Sequence, residues 1–141
     1  MITLIVGKAG SGKTKTMIDL ANERAETTKG SLVFINKNDR LMYNLNHIIR
    51  VVPVDEFDLN NADEYRGFLY GIISSDHDID AIFIDSIMKH TDIDLSTIPG
   101  FIDSLAQAAE KHGVEFVVSI SALPEELTAL NKYKMIVAEA Y

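Results

Sequence analysis

The chain has 141 residues, 47% of them hydrophobic and 24% charged, an ordinary globular balance that is expected to fold as one domain over 1–141. Its 13 basic residues face 21 acidic ones, a net charge of −8, which disfavours nucleic acid as a direct partner. No apolar run approaches the roughly 18 residues of a membrane-spanning helix, and the absence of cysteine excludes disulfides and thiolate metal sites, as expected of a cytoplasmic protein.

The chain opens on Ile2–Val6, a short β-branched apolar run that predicts a strand and is too short for a signal peptide. It passes directly into Gly7-Lys8-Ala9-Gly10-Ser11-Gly12-Lys13-Thr14, which matches the phosphate-loop spacing G-x-x-x-x-G-K-[ST]. At average glycine usage, a chain of this length meets that pattern by chance roughly once in a few hundred cases. The residue types suit the chemistry. Glycines let successive N–H groups curl around a polyphosphate, Lys13 reaches its outer phosphates, and the Thr14 hydroxyl belongs to a Mg²⁺ shell. Met17, Ile18, Leu20, Ala21 and Ala25 then form a helical stripe over Thr14–Thr27, whose positive end points at the same anion. The expected nucleotide contacts are therefore Gly7 through Thr14, with Lys15 beside them.

Leu32–Asn36 predicts a second strand, and an irregular piece around Asp39–Leu45 leads to a third at Ile48–Val52. Asn60-Asn61 offers an N-cap for a helix over Ala62–Ser74, in which Tyr65, Phe68, Leu69, Tyr70, Ile72 and Ile73 read as core. Ala81–Asp85 is a fourth strand, with Asp80 expected to lie before it. Pro99-Gly100 opens a helix that stops at Gly113, Glu115–Ile120 is a fifth strand, Pro124–Leu130 a short helix and Met135–Ala138 a sixth strand. Strands alternating with helices predict an α/β fold, a parallel sheet covered on both faces. The acidic tract from Asp76 to Asp94 would repel a duplex. Its His77 and His90, set among aspartates, read as solvated loop residues rather than a metal cluster.

Asp85 follows three apolar residues at the carboxyl end of its strand, and resembles the Walker B aspartate of P-loop proteins, which implies Mg²⁺ held between it and Thr14. Two strands intervene between the loop strand and this one, an element order that resembles the RecA-like branch of P-loop NTPases. The resemblance implies a three-layer sandwich on a mainly parallel six-stranded sheet, with the fifth strand between the first and fourth and the order 6-1-5-4-2-3. It implies ATP, or another nucleoside triphosphate, as ligand, with Lys13 and Asp85 as catalytic groups. It also exposes a departure. Members of that branch carry a glutamate that polarises the attacking water, whereas the second strand here ends Asn36-Lys37-Asn38-Asp39 and Asp85 is followed by Ser86. Asp39 is the nearest stand-in for the base, and a turn cap is its other reading. The glutamine found after Walker B in that branch is matched only by Ser119 and Ser121.

The whole chain also resembles small ATP-binding proteins of anaerobic Gram-positive bacteria, in the opening loop and in Lys37-Asn38-Asp39-Arg40-Leu41, a match to K-x-D-[KR]-L. That family has no assigned activity. Three functions remain open: a slow or partner-activated triphosphatase, a nucleotide-dependent module that binds an unidentified protein, and a small-molecule kinase. The kinase is disfavoured, since Arg24, Arg40, Arg50 and Arg66 are scattered and no insert could form a lid.

Overall fold

Apolar β-branched runs become interior strands where both of their faces can be covered, and this sheet is built from such runs. In the computed structural model, which describes residues 1–89 and 91–138, the strands are β1 (Ile2–Gly7), β2 (Ser31–Asn36), β3 (Ile49–Pro53), β4 (Ile79–Ile84), β5 (Glu115–Ser121) and β6 (Lys134–Val137). All pair in parallel, in the order β3-β2-β4-β5-β1-β6. This is the expected order, with β5 bonded to β1 on one side and to β4 on the other. Parallel neighbours need long crossovers, and the helices α1 (Lys13–Thr27), α2 (Ala62–Ser75) and α3 (Ile98–His112) lie in three of them.

Alternation along each strand divides the core between two layers. Leu4, Val6, Ile82, Ile84, Phe116 and Val118 pack with Tyr65 and Leu69 of α2 and with Phe101 and Leu105 of α3. Ile5, Phe34, Phe83 and Val117 pack with Met17, Ala21 and Ala25 of α1, the Phe34 and Phe83 rings stacking 6.1 Å apart. The result is an α/β three-layer sandwich, with every loop after a strand's carboxyl end on one edge of the sheet.

Several local expectations need correction. β4 begins at Ile79, so Asp80 lies inside it. Ser31 pairs with Ile79 but Leu32 with Ala81, so Asp80 is an extra residue in the ladder. Its carboxylate accepts from Thr28 Oγ1 at 2.7 Å and pairs with Arg24 at 3.3 Å. Tyr70 is 44% exposed rather than core, because Tyr65, Leu69, Ile72 and Ile73 form the buried stripe and Tyr70 falls beside it. The Pro124–Leu130 helix is instead two short 3₁₀ turns, Pro124–Glu126 and Thr128–Leu130. Leu127 between them leaves helical geometry at φ −121° while its side chain stays buried.

Two expected signals act as read. Gly113 ends α3 at φ 67°, a left-handed stop. Asn61 caps α2 by accepting from the Glu64 N–H at 2.9 Å, and Glu64 returns the bond to the Asn60 N–H at 2.8 Å. Asn61→Ala is expected to lower stability by about 1 kcal/mol and Asn61→Gly by only a few tenths, read as the shift in urea midpoint.

Candidate nucleotide site

β1 delivers the chain to the carboxyl edge of the sheet at Gly7, where there is no room for a side chain. A Cβ there would lie 2.4 Å from Ser11 Oγ and 2.8 Å from the Ala138 carbonyl oxygen. Gly10 and Gly12 take φ values of 80° and 88°, left-handed conformations that allow the loop to reverse into α1. Gly12 occupies the N-cap and has no side chain to offer, so α1 starts without a side-chain acceptor. Among the described residues the N–H groups of Gly10, Gly12, Lys13, Thr14 and Lys15 find no hydrogen-bond acceptor. Ser11 Oγ, buried inside the loop, also has no partner. These groups can receive a polyanion at the positive end of a helix of 15 residues.

Lys13 folds back beneath the loop. Its ammonium group donates to the Gly7 carbonyl at 3.1 Å and the Lys8 carbonyl at 2.8 Å, and the residue is 8% exposed. Burial lowers its affinity for a proton, the charge of Lys89 lowers it further, and Asp85 opposes both. The Lys8 and Ala9 side chains are exposed. The Lys15 ammonium group points away, paired with Asp19 at 2.9 Å one turn along α1, which leaves only its N–H facing the loop.

Asp85 lies just past β4, and its N–H still donates to the Ile35 carbonyl of β2 at 2.9 Å. It is 1% exposed, which for a carboxylate requires partners. One oxygen accepts from Thr14 Oγ1 at 2.9 Å, the other from Ser119 Oγ at 2.9 Å. The Ser86 N–H in turn donates to Ser119 Oγ at 2.7 Å. The fold thus joins Thr14 of α1, Asp85 of β4 and Ser119 of β5 in one buried chain of hydrogen bonds. A hydroxyl and a carboxylate side by side are a hard oxygen donor set, which fits Mg²⁺.

Asp39 lies on the same edge, in the segment that leaves β2, and is exposed. It does not cap the turn. Asn38 does, accepting from the Arg40 N–H at 3.0 Å, while Asp39 contributes only its carbonyl, to the Met42 N–H. Lys37 and Arg40 are exposed on the same segment. Sequence reasoning marked Ser119 only as a substitute for a glutamine, and Ser86 only as the residue standing where a glutamate would follow Asp85. The position of Ser86 directly after Asp85 was the available signal.

The rest of the surface does not compete for phosphate. A cavity of about 300 Å³ at the amino ends of the strands is lined by Thr3, Arg24 and Glu115, but Arg24 is already paired with Asp80 and Glu115. Among the described residues no three His, Asp or Glu side chains converge on a metal position. His90 lies outside the described residues. Among the described residues no helix is long and apolar enough to cross a membrane.

A glycine-rich loop after β1 with the phosphate-loop spacing, an aspartate at the end of β4 and β5 between β1 and β4 match a P-loop fold with RecA-like strand order. The flagellar accessory protein FlaH from Methanocaldococcus jannaschii has a similar structure, with a TM-score of 0.52 over 96% of this chain and 70% of that one. At 15% sequence identity the likeness is one of fold alone. No family model matches the chain, and neither does any curated protein.

Proposed function

We propose that this protein binds Mg²⁺ and ATP, or another nucleoside triphosphate, and hydrolyses it slowly or only when a partner completes the site. The observation that carries this reading is the conjunction at the loop. An uncapped helix start with free N–H groups lies beside a hydroxyl–carboxylate pair, Thr14 and Asp85, joined at 2.9 Å. The free N–H groups and Lys13 would hold the phosphates, and Thr14 and Asp85 would hold the metal, which neutralises developing phosphate charge. Ser119 would keep Asp85 in place from behind. The motif likeness to small ATP-binding proteins of anaerobic Gram-positive bacteria favours the same ligand, and a cytoplasmic location agrees with the lack of cysteine.

The second reading, a module that binds a protein partner according to its nucleotide, is favoured by one observation. The residue after Asp85 is Ser86, whose N–H is committed to Ser119, so no carboxylate follows Asp85 where a base could sit. A kinase is disfavoured further, because β5 separates β1 from β4. Titration calorimetry with ATP tests the proposal. Binding is expected with Mg²⁺ and much weaker binding in chelator, and Asp85→Asn is expected to erase that difference. Equal affinity with and without Mg²⁺ in the parent chain would defeat the metal assignment. No binding of any nucleoside triphosphate would defeat the whole reading.

A further inference from the structure

An ionised carboxylate has two equivalent oxygens, and hydrogen bonds decide which of them a cation can meet. At Asp85 the fold makes the two unequal. Oδ2 accepts from Thr14 Oγ1 at 2.9 Å, a half-buried contact towards the loop, whereas Oδ1 accepts from Ser119 Oγ at 2.9 Å in a buried one. Ser119 is 1% exposed and belongs to β5, which is hydrogen-bonded to β1 on one side and β4 on the other, so its backbone cannot swing away. Its hydroxyl is committed as well. The Ser86 N–H donates to Ser119 Oγ at 2.7 Å, and the single hydroxyl proton is left to point at Asp85. Ser86 presents that N–H from a left-handed backbone at φ 59°, which glycine would adopt more easily. Such a conformation persists only where its surroundings over-determine it. Here Asp85 before it and Ile87 after it are both buried.

Mg²⁺ and Ca²⁺ ask different things of a carboxylate. Mg²⁺ is small, demands near-octahedral geometry and keeps several waters, so one oxygen from the protein carboxylate serves it. Ca²⁺ gathers about six to eight oxygens at longer range and often takes both oxygens of one carboxylate. With Oδ1 held by Ser119 from the sheet side, Asp85 has one oxygen left to turn towards a cation at the loop. Among the described residues no group of three acidic or histidine side chains converges to replace the oxygen that is withheld.

We infer that Ser119 is a positioning residue that sets the metal preference of the site, favouring Mg²⁺ over Ca²⁺ by keeping Asp85 from offering both oxygens. The inference rests on the Mg·nucleotide reading above and adds the group that selects the ion. Titration calorimetry of ATP in saturating Mg²⁺ and in saturating Ca²⁺ tests it, on the parent chain, Ser119→Ala and Ser119→Cys. The parent is expected to bind ATP about tenfold more tightly with Mg²⁺ than with Ca²⁺, the size of one charge-assisted contact. Ser119→Ala releases Oδ1, and the ratio is expected to fall to within about twofold as that contact is lost. Ser119→Cys keeps a side chain of similar shape with a weak donor, and its ratio is expected between the other two. The ratio is read within one variant, so a general loss of affinity or stability cancels from it. An unchanged ratio in Ser119→Ala would overturn the inference; if a thermal melt shows that variant unfolded, an unchanged ratio in Ser119→Cys would do the same. A parent chain with no preference between the ions would also overturn it, and all three results would leave metal-dependent nucleotide binding standing. A parent whose ATP affinity is the same in chelator, or that binds no ATP, would overturn the underlying reading and this inference with it.

Discussion

Lys13→Ala is expected to weaken Mg·ATP binding about ten- to a hundredfold, the loss of a charge-assisted contact of about 1.5–3 kcal/mol. The structure adds a second consequence. The lysine is bonded to the carbonyls of Gly7 and Lys8, so its removal also unties the two ends of the loop. Lys13→Arg separates the effects: it keeps the charge but cannot reproduce both carbonyl contacts from the same buried position. Calorimetry reads the affinity, and a thermal melt without ligand reads the loop. An unchanged affinity for Lys13→Ala would mean that the phosphates do not lie in this loop.

The isolated protein is expected to release phosphate from ATP well below the roughly 1–10³ s⁻¹ of ordinary enzymes. Phosphoryl transfer to water needs the terminal charge neutralised and the water oriented. Lys13, and a metal held by Thr14 and Asp85, would neutralise the charge under the proposed reading. Among the described residues the one buried carboxylate is Asp85, already bonded to Thr14 and Ser119, so no buried base is left to orient the water, and general-base assistance is typically worth about 10²–10⁴. Asp39→Asn is a clean probe because the Asp39 carboxylate is exposed and caps nothing, that role belonging to Asn38. Stability is therefore expected to be unchanged, unlike the roughly 1 kcal/mol a capping residue would cost. A further fall in rate at constant affinity would assign Asp39 as the base. A brisk turnover of about 10 s⁻¹ that survives the substitution would contradict the slow-turnover expectation.

The strands could be read from the sequence because the interior ones, β1, β2, β4 and β5, are near-continuous apolar runs. The element order up to Asp85 then placed β5 between β1 and β4 through the RecA-like resemblance. The turn of the loop after β1 was equally legible, since its conformation is local and written in three glycines, Gly7, Gly10 and Gly12. What escaped depends on which strands become neighbours. Ser119 is 34 residues from Asp85 and meets it only because β5 pairs with β4. Asp80 looked like a loop residue because an extra position in a ladder has no signature of its own; the partner strand creates it.

The direct bond between Thr14 and Asp85 also bears on what loading would demand of the fold. The two groups suited to a metal already touch, one on a helix and one at the end of a strand, and Asp85 is braced by Ser119. An arriving ion would replace a shared proton with a shared cation, and neither backbone would have to travel to meet it. Reorganisation, which commonly takes a large part of the intrinsic affinity of a mobile site, would be confined here to one hydroxyl rotor. The corresponding cost is competition: an ion held by both groups would have to displace the bond that clasps Thr14 to Asp85.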